Sequence, residues 1–226
     1  MTPPYNINTV FGRFAAQFWA MVVEHNITNV VRQNFHKIDD NMYRSSQPTT
    51  YQLKNRIEKY GIKTIINIRG YPEHSPLRAL EEDMCKKMGV KLVYVEAFSR
   101  KIPEIKTLLA FKRAFDEIEY PAMMHCKSGA DRAGLGSVLY SHWNMGKSVA
   151  ESVKTQLKLF PFGHIKHART GLIDYYFNAY LSKTDGKQDL LEWTIFEMEK
   201  KREQLERDYK ALPIWDWVVE KLLKRE

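Results

Sequence analysis

The chain has few cysteines, with two among its 226 residues. Two cysteines cannot build the disulfide framework that holds many secreted domains together, so we expect a reducing compartment. The pattern of a secretory signal, a basic segment followed by a continuous apolar core and a cleavage site, is not found near the N-terminus. The apolar stretch at residues 10–23 is too short to span a bilayer, and Arg13 interrupts it. These features predict a cytoplasmic protein.

Metal-ligand spacing is also lacking. His164 and His167 have no companions at the spacing of a metal site, so we expect them to be structural or surface residues. The sequence therefore predicts neither a metal ion nor another cofactor. A motif of interleaved aromatic and basic residues is absent as well, and nucleic acid is not expected as a partner.

The positive charge of the chain is unevenly distributed. The formal net charge is +8 at pH 7. Residues 183–226 hold 10 basic and 11 acidic side chains, which leaves 25 basic against 16 acidic side chains in the rest of the chain. This surplus favours anionic partners, such as inositol phosphates, phosphorylated sugars or an acidic membrane surface.

Short apolar runs alternate with helical segments through the middle of the chain. Buried parallel strands are predicted at residues 63–68, 91–95 and 122–125, and an edge strand at 42–46. Helices are predicted to begin at Thr49 or Thr50, at Ser75 with Pro76, at Pro103, at Arg132 and at Ser148. This order predicts an α/β fold in which helices flank a central, mostly parallel sheet.

The most informative segment is MMHCKSGADRAG, residues 123–134. A buried strand is predicted before Cys126 and a helix from Ala133 onward, so the chain must turn sharply between them. Such a turn directs backbone N–H groups and the positive end of the helix at one point, where Arg132 can hold two oxygens of an anion. Gly129 leaves that point free of a side chain. The residues expected to bind phosphate are Lys127, Ser128, Gly129, Ala130 and Arg132.

Cys126 lies at the floor of this predicted anion site. Helix N-termini and nearby cations favour the thiolate form of cysteine, and a thiolate beside bound phosphate is a nucleophile for phosphoryl transfer. The other cysteine, Cys85, falls within the helix predicted at Pro76–Met88. We expect Cys85 to be a small buried helix residue, and a reversible disulfide with oxidised Cys126 is the alternative.

The pattern His125-Cys126-x5-Arg132, between a strand and a helix, resembles the signature loop of cysteine-dependent protein tyrosine and dual-specificity phosphatases. Three further segments resemble the bacterial dual-specificity-like branch: MYRSSQPT (42–49), GIKTIINIRG (61–70) and GHIKHARTGLIDYYFNAY (163–180). The resemblance implies that Cys126 forms a phosphocysteine intermediate, that Arg132 binds the phosphoryl oxygens and that water then releases phosphate. It also implies that His125 orients the loop without reacting.

The same resemblance implies a domain organisation. A dual-specificity-phosphatase-like domain is expected at residues 37–182, between helical extensions at residues 1–36 and 183–226. Arg69 and Cys126 would both lie beyond the carboxyl ends of parallel strands, where such sheets bind ligands. We therefore expect Arg69, Arg100, Lys101 and Lys127 to be candidates for recognising the charge of the substrate. Ordinary solvated loop charge is the alternative for Arg100 and Lys101.

Two positions depart from the family pattern. Ala133 replaces the usual serine or threonine, whose hydroxyl steadies the cysteine sulfur as it leaves, so slower hydrolysis of the intermediate is expected. The usual aspartic general acid is also missing, because residues 91–115 contain no aspartate and Glu96 is the carboxylate near the expected place. Asp131, inside the loop, is a second candidate for the acid. An equally weighted alternative is that it braces the loop by hydrogen bonding or by pairing with Arg69 or Lys127.

Asp131 also influences the expected substrate. An aspartate before the loop arginine resembles the signature loops of myotubularins and other phosphoinositide phosphatases, and CKSG followed by DR resembles bacterial inositol-phosphate phosphatases. We therefore expect a cysteine-dependent phosphatase that cleaves phosphate monoesters without a metal, with a phosphoinositide or inositol phosphate as substrate. The alternatives are a phosphotyrosine or phosphoserine protein phosphatase and a catalytically weak phosphate-binding module.

Amphipathic segments lie at both ends of the chain. Phe11, Phe14, Phe18 and Val22 form one apolar face. A helix predicted at residues 214–225 has another, made of Trp217, Val218 and Leu222, near Lys221, Lys224 and Arg225. Between them, a helical seam at residues 191–212 is expected to pack on the body or on a partner subunit. Docking against the core is expected for the two terminal helices, and binding to a membrane surface is the alternative.

Overall fold

The computed structural model describes residues 6–22, 29–30, 33–70 and 75–222. The strands are β1 (His36–Lys37), β2 (Met42–Ser45), β3 (Thr64–Asn67), β4 (Lys91–Tyr94) and β5 (Ala122–His125). The helices are α1 (Val10–Val22), α2 (Thr50–Tyr60), α3 (Pro76–Met88), α4 (Ile105–Glu117), α5 (Asp131–Trp143), α6 (Val149–Gln156), α7 (Leu172–Thr184), α8 (Leu190–Trp193), α9 (Arg202–Asp208) and α10 (Pro213–Trp217). Shorter helical turns are a 3-10 turn at Arg169–Gly171 and π-helical turns at Thr194–Met198 and Val218–Leu222.

The described strands form one sheet in the order β1-β2-β5-β3-β4. The four strands β2, β5, β3 and β4 are parallel, which confirms the predicted sheet, and β1 is antiparallel to β2. The prediction of an edge strand at residues 42–46 was wrong, because β1 covers β2 on its outer side. At two residues, β1 is too short to leave a strand signal in the sequence. His125 is level with Ser45 on one side and Asn67 on the other, so three strands end together.

Polar side chains cap the N-termini of three helices that flank the sheet. Thr49 and Gln52 form a reciprocal capping box at the start of α2. Ser75 caps α3, and Ser148 caps α6, as their sequences predicted. The helix predicted to start at Pro103 begins at Ile105 instead, because the backbone of Glu104 is still extended.

Apolar side chains fill both faces of the sheet. Ile66 and Met124 point into the main core, whereas Ile65 and Met123 point into a second cluster against α2 and α3. The segment after α7 also packs on the main core, where Met198 is buried. The seam predicted there is not one continuous helix, since α8, a π-helical turn and α9 follow one another.

Helix α1 packs in an orientation opposite to the predicted one. Its small residues Gly12, Ala16 and Ala20 are the buried ones, and Ala16 and Ala20 share a cluster with Leu77 and Leu80 of α3. The aromatic face is exposed instead, with 82% of Phe11, 66% of Phe14 and 60% of Phe18 accessible to solvent. Small side chains allow α1 and α3 to approach closely, and this explains why Ala16 and Ala20 face α3 in place of the aromatic residues.

The C-terminal helix docks partly by the predicted face, because Val218 packs against the cluster that buries Val219. Val219 is buried and clusters with Ile165 and Ala168, whereas Trp217 is 55% exposed. Lys224 and Arg225, predicted to lie beside this face, are outside the described residues. Among the described residues, none of the helices has the length and apolar character needed to cross a bilayer.

Candidate active site

The signature loop wraps around the sulfur of Cys126. Strand β5 ends at His125, and α5 begins at Asp131, six positions later. The backbone N–H of Gly129 donates to Cys126 Sγ at 3.2 Å. The first turn of α5 has no side-chain cap at Ala130, and the N–H groups of a first helical turn have no acceptor within their own helix. Cys126 thus lies where backbone donors and a positive helix end converge.

Gly129 is required by the geometry of this loop. Its φ is +73°, a conformation that favours glycine. A Cβ at this position would lie 2.6 Å from the backbone nitrogen of Ser46 and 2.7 Å from the carbonyl carbon of Ser45. Any larger residue would therefore push the loop away from the end of β2.

The loop carbonyls are held from outside by side chains distant in sequence. These bonds run from Asn29 to Lys127 O (3.0 Å), from Asn34 to Ser128 O (2.8 Å) and from Arg44 Nη2 to Gly129 O and Ala130 O (2.9 Å each). Because the carbonyl and the N–H of a planar trans peptide point in opposite directions, carbonyls held outside keep the adjoining N–H groups directed inward. The outer bonds thereby maintain the anion site.

Arg44 is the central residue of this outer set, and it was not predicted from the sequence. Its side chain is fully buried in β2, and its guanidinium carbon lies 4.0 Å from the centre of the Phe162 ring. Burial lowers the pKa of Arg44 to about 10, and the negative charges of Cys126 and Asp131 oppose that shift. Arg44 is therefore charged at neutral pH. A charged residue in the middle of a short strand was the signal that could have revealed it.

His125 is held by a second unpredicted residue, Glu81 of α3. His125 Nε2 lies 2.8 Å from Glu81 Oε1, and both side chains are buried. Glu81 also accepts hydrogen bonds from Gln47 (3.1 Å) and Asn67 (2.7 Å). Burial acts to raise the pKa of Glu81, but the charge and hydrogen bond of His125 and the two amide donors lower it below its ordinary value. The carboxylate thus fixes the residue before Cys126.

Asp131 has a partner that the sequence did not suggest. Its Oδ1 lies 2.7 Å from Nδ1 of His164, and Asp174 Oδ2 lies 2.6 Å from the Nε2 of the same ring. Burial alone would lower the pKa of His164, but the hydrogen bonds and charges of the two carboxylates raise it to about 9. His164 is therefore a buried imidazolium at neutral pH. This position agrees with the structural role that was one of the two expected for His164. Asp131 accepts a charged hydrogen bond, an arrangement that favours a brace over an acid.

The other candidate residues are spread along the same end of the sheet. Arg69 donates to Gln47 at 3.0 Å, and its backbone bridges that of Glu96, whose side chain is exposed. Arg100, expected to contact substrate, donates instead to Glu220 of the C-terminal segment at 2.7 Å. The ammonium nitrogen of Lys101 lies 4.6 Å from the centre of the Phe98 ring. The structure brings Arg69 and Glu96 together and ties Arg100 to the C-terminal segment.

Cys85 lies apart from Cys126. It is buried in the cluster between the sheet and helices α2 and α3, whereas Cys126 belongs to the core on the other face of the sheet. Burial, together with the charges of Glu81 and Glu82, raises the pKa of Cys85 to about 12. Its position fits the expected buried helix residue. Within the described ranges, histidine, cysteine and carboxylate side chains form no group of three that could hold a metal ion.

Comparison with known proteins places this geometry in a family. The family model described as "DSP-PTPase phosphatase fused to NAD+ Kinase" matches residues 15–169. Among solved structures, P. aeruginosa TpbA is similar at 16% identity and a TM-score of 0.54, over 72% of this chain and 89% of that one. A cysteine-to-serine variant of TpbA in complex with pTyr is similar at 16% identity and a TM-score of 0.50, over 68% of this chain and 85% of that one.

The two kinds of match support different conclusions. The structural similarity, at 16% identity, confirms the predicted fold. The family model spans well over half of the chain, including the whole segment from the sheet to the signature loop. The chain therefore belongs to the DSP-PTPase family and is a cysteine-dependent phosphatase of the tyrosine and dual-specificity type.

Proposed function

We propose that the enzyme hydrolyses phosphate monoesters through a phosphocysteine intermediate formed on Cys126. The observation that carries this proposal is the Gly129 N–H bonded to Cys126 Sγ at 3.2 Å, at the uncapped start of α5. The loop that carries this donor would also present its backbone N–H groups to a phosphoryl group bound at the sulfur. Helix N-termini favour both a thiolate and a bound phosphate.

In the first step the Cys126 thiolate attacks phosphorus, and the bond from phosphorus to the ester oxygen breaks. The departing alcohol takes a proton from a general acid or from water. Arg132 holds two of the three non-bridging oxygens through its planar fork. In the second step water attacks the phosphocysteine, releases inorganic phosphate and returns the thiolate.

Ala133 affects the rate of the second step, the hydrolysis of the phosphocysteine. A hydroxyl at this position would steady the departing sulfur, and alanine cannot do so. Slow breakdown of the phosphocysteine would make the protein a weak enzyme that retains phosphate, which is the second candidate function. A burst of leaving-group release followed by a slow steady state distinguishes this outcome from rapid turnover.

For the substrate, we favour an inositol phosphate or a phosphoinositide over a phosphoprotein. The basic surplus outside residues 183–226 supports a polyanion, and Lys127 and Asp131 in the loop support the same class. A phosphotyrosine protein is the alternative, and the complex of TpbA with pTyr motivates its inclusion.

The test is phosphate release from a panel of phosphopeptides, phosphoinositides and inositol phosphates, with and without a chelator. The matched control is Cys126→Ser, which has a similar size but is not ionised at neutral pH. We expect turnover to vanish in this variant while phosphate still binds. Unchanged turnover in Cys126→Ser would refute the phosphocysteine mechanism.

We further propose that α1 docks the enzyme on an anionic membrane surface. The exposed stripe of Phe11, Phe14 and Phe18 has no competing charge, because Arg13 is paired with Asp83 at 2.6 Å. Aromatic side chains favour the boundary between headgroups and acyl chains, and a basic body adds attraction to acidic lipids. The stripe suits shallow insertion parallel to the surface.

A further inference from the structure

His164 joins three segments around the signature loop. Asp131 is the first residue of α5, Asp174 lies in the first turn of α7, and His164 belongs to the loop between α6 and the 3-10 turn. Both ring nitrogens lie within hydrogen-bond distance of a carboxylate oxygen, at 2.7 and 2.6 Å. Ionised carboxylates only accept hydrogen bonds, so each nitrogen must donate. Only the doubly protonated imidazolium donates from both nitrogens. The His164 side chain is 1% exposed, so water does not screen the group.

The position of Asp131 creates an electrostatic problem for the enzyme. Its carboxylate directly precedes Arg132 and adjoins the site proposed for a phosphate dianion. A carboxylate left unpaired there would repel the dianion, and burial would strengthen the repulsion. Arg44 faces Asp131, but its Nη2 is engaged with the carbonyls of Gly129 and Ala130.

We propose that the imidazolium of His164 neutralises Asp131 beside the phosphate site and so maintains the affinity of the enzyme for phosphate. His164 acts through Asp131 and is a positioning residue. This inference rests on the proposed function, because it takes the signature loop as the phosphate site. The groups that face this pair are Asp174, Arg44, Cys126 and, next to Asp174, Tyr209.

The experiment measures the inhibition constant of inorganic phosphate at pH 6.5 in four proteins. We expect His164→Gln to weaken phosphate binding roughly tenfold, since it removes the cation that neutralises Asp131. The double variant Asp131→Asn with His164→Gln removes both charges and should restore binding to within about threefold of the parent. Asp174→Asn is the matched control, because it removes the other carboxylate, which is only partly buried, and keeps the bond between His164 and Asp131.

Asp174→Asn should lower the melting temperature yet keep phosphate affinity within about threefold of the parent. Equal affinity losses in His164→Gln and in the double variant would mean a purely structural role and overturn the inference. Circular dichroism confirms folding, and a variant that fails to fold is replaced by His164→Asn. Arg132→Lys separates the two proposals, because unaltered phosphate inhibition in that variant would refute the phosphate site itself.

A pH series from 6 to 9 gives an independent readout. The phosphate inhibition constant of the parent should rise as His164 loses its proton toward the upper limit. The double variant should lack this rise, because it has no charge at either position. A rise of the same size in both proteins would assign the pH dependence to another group and contradict the role of His164.

Discussion

Arg44 Nη2 lies 2.9 Å from the carbonyl oxygen of Gly129, so a fully buried arginine of β2 holds the phosphate loop from behind. The same guanidinium reaches the carbonyl of Gln156 at the end of α6 through Nη1, at 2.8 Å. The Arg44 side chain therefore links the signature loop, with its backbone N–H donors, to the C-terminal end of α6. The shape of the anion site depends on a residue that need not touch substrate.

Replacing Arg44 with methionine should destabilise the protein by about 3 kcal/mol, because three carbonyl oxygens lose their donor and two of these bonds are buried. Urea unfolding at pH 7 measures this loss. The control is Arg113→Met, which removes an arginine from an exposed pair with Glu117 and should change stability by less than about 1 kcal/mol. A loss no larger than that of the control would mean that Arg44 does not support the loop.

Arg132→Lys should reduce both phosphate affinity and kcat/KM, because a point charge cannot reproduce the two parallel bonds of a guanidinium. Isothermal titration with inorganic phosphate and steady-state kinetics measure the two quantities. Arg113→Lys serves as the matched control on the surface. Parent-like behaviour of Arg132→Lys would remove Arg132 from the list of phosphate ligands.

The general acid can be assigned with two leaving groups. We expect Asp131→Asn to slow an alkyl phosphate and nitrophenyl phosphate alike, because Asp131 accepts a hydrogen bond from His164 and so braces the loop. A true general acid should cost roughly 10²–10⁴ in rate with the alkyl ester and far less with nitrophenolate. Glu96→Gln is tested in parallel with the same esters. Selective loss of the alkyl rate in Asp131→Asn would identify Asp131 as the acid.

The stabilising effect of His164 should depend on pH. Its folded-state pKa of about 9 lies above the ordinary value of 6.5, so the imidazolium stabilises the fold fully below about pH 6.5. This stabilisation is lost as the pH rises through about 9. We expect His164→Gln to lower the free energy of unfolding by roughly 3 kcal/mol at pH 6 and by much less at pH 9.5. A difference that does not vary with pH would contradict the charged form.

The part of the site within a continuous segment was readable from the sequence. Residues 123–134 predicted a strand, a tight turn at Gly129 and a helix, because each depends on neighbours in the chain. Arg44, Glu81 and His164 were not identified as supports, since the residues around Cys126 that they contact lie 33 or more residues away. Sequence spacing does not reveal which buried charges meet across a sheet.

Membrane docking through α1 can be tested by sedimentation with anionic and neutral vesicles. Replacing Phe14 and Phe18 with serine should abolish sedimentation with anionic vesicles, because the stripe loses most of its insertable area. The control is Phe160→Ser, which removes an even more exposed aromatic ring, 87% accessible, from a loop outside α1. Equal sedimentation of the parent with both kinds of vesicle would leave the stripe without a role in lipid recognition.

The separation of the two cysteines by the sheet determines how the enzyme responds to oxidants. A peroxide that converts Cys126 to a sulfenic acid leaves a group that a nearby thiol could capture as a disulfide. Cys85 faces the opposite apolar cluster and remains a neutral thiol, so it cannot supply that thiol. Recovery then depends on small thiols from outside the chain, and without them continued exposure leads to irreversible loss of the nucleophile.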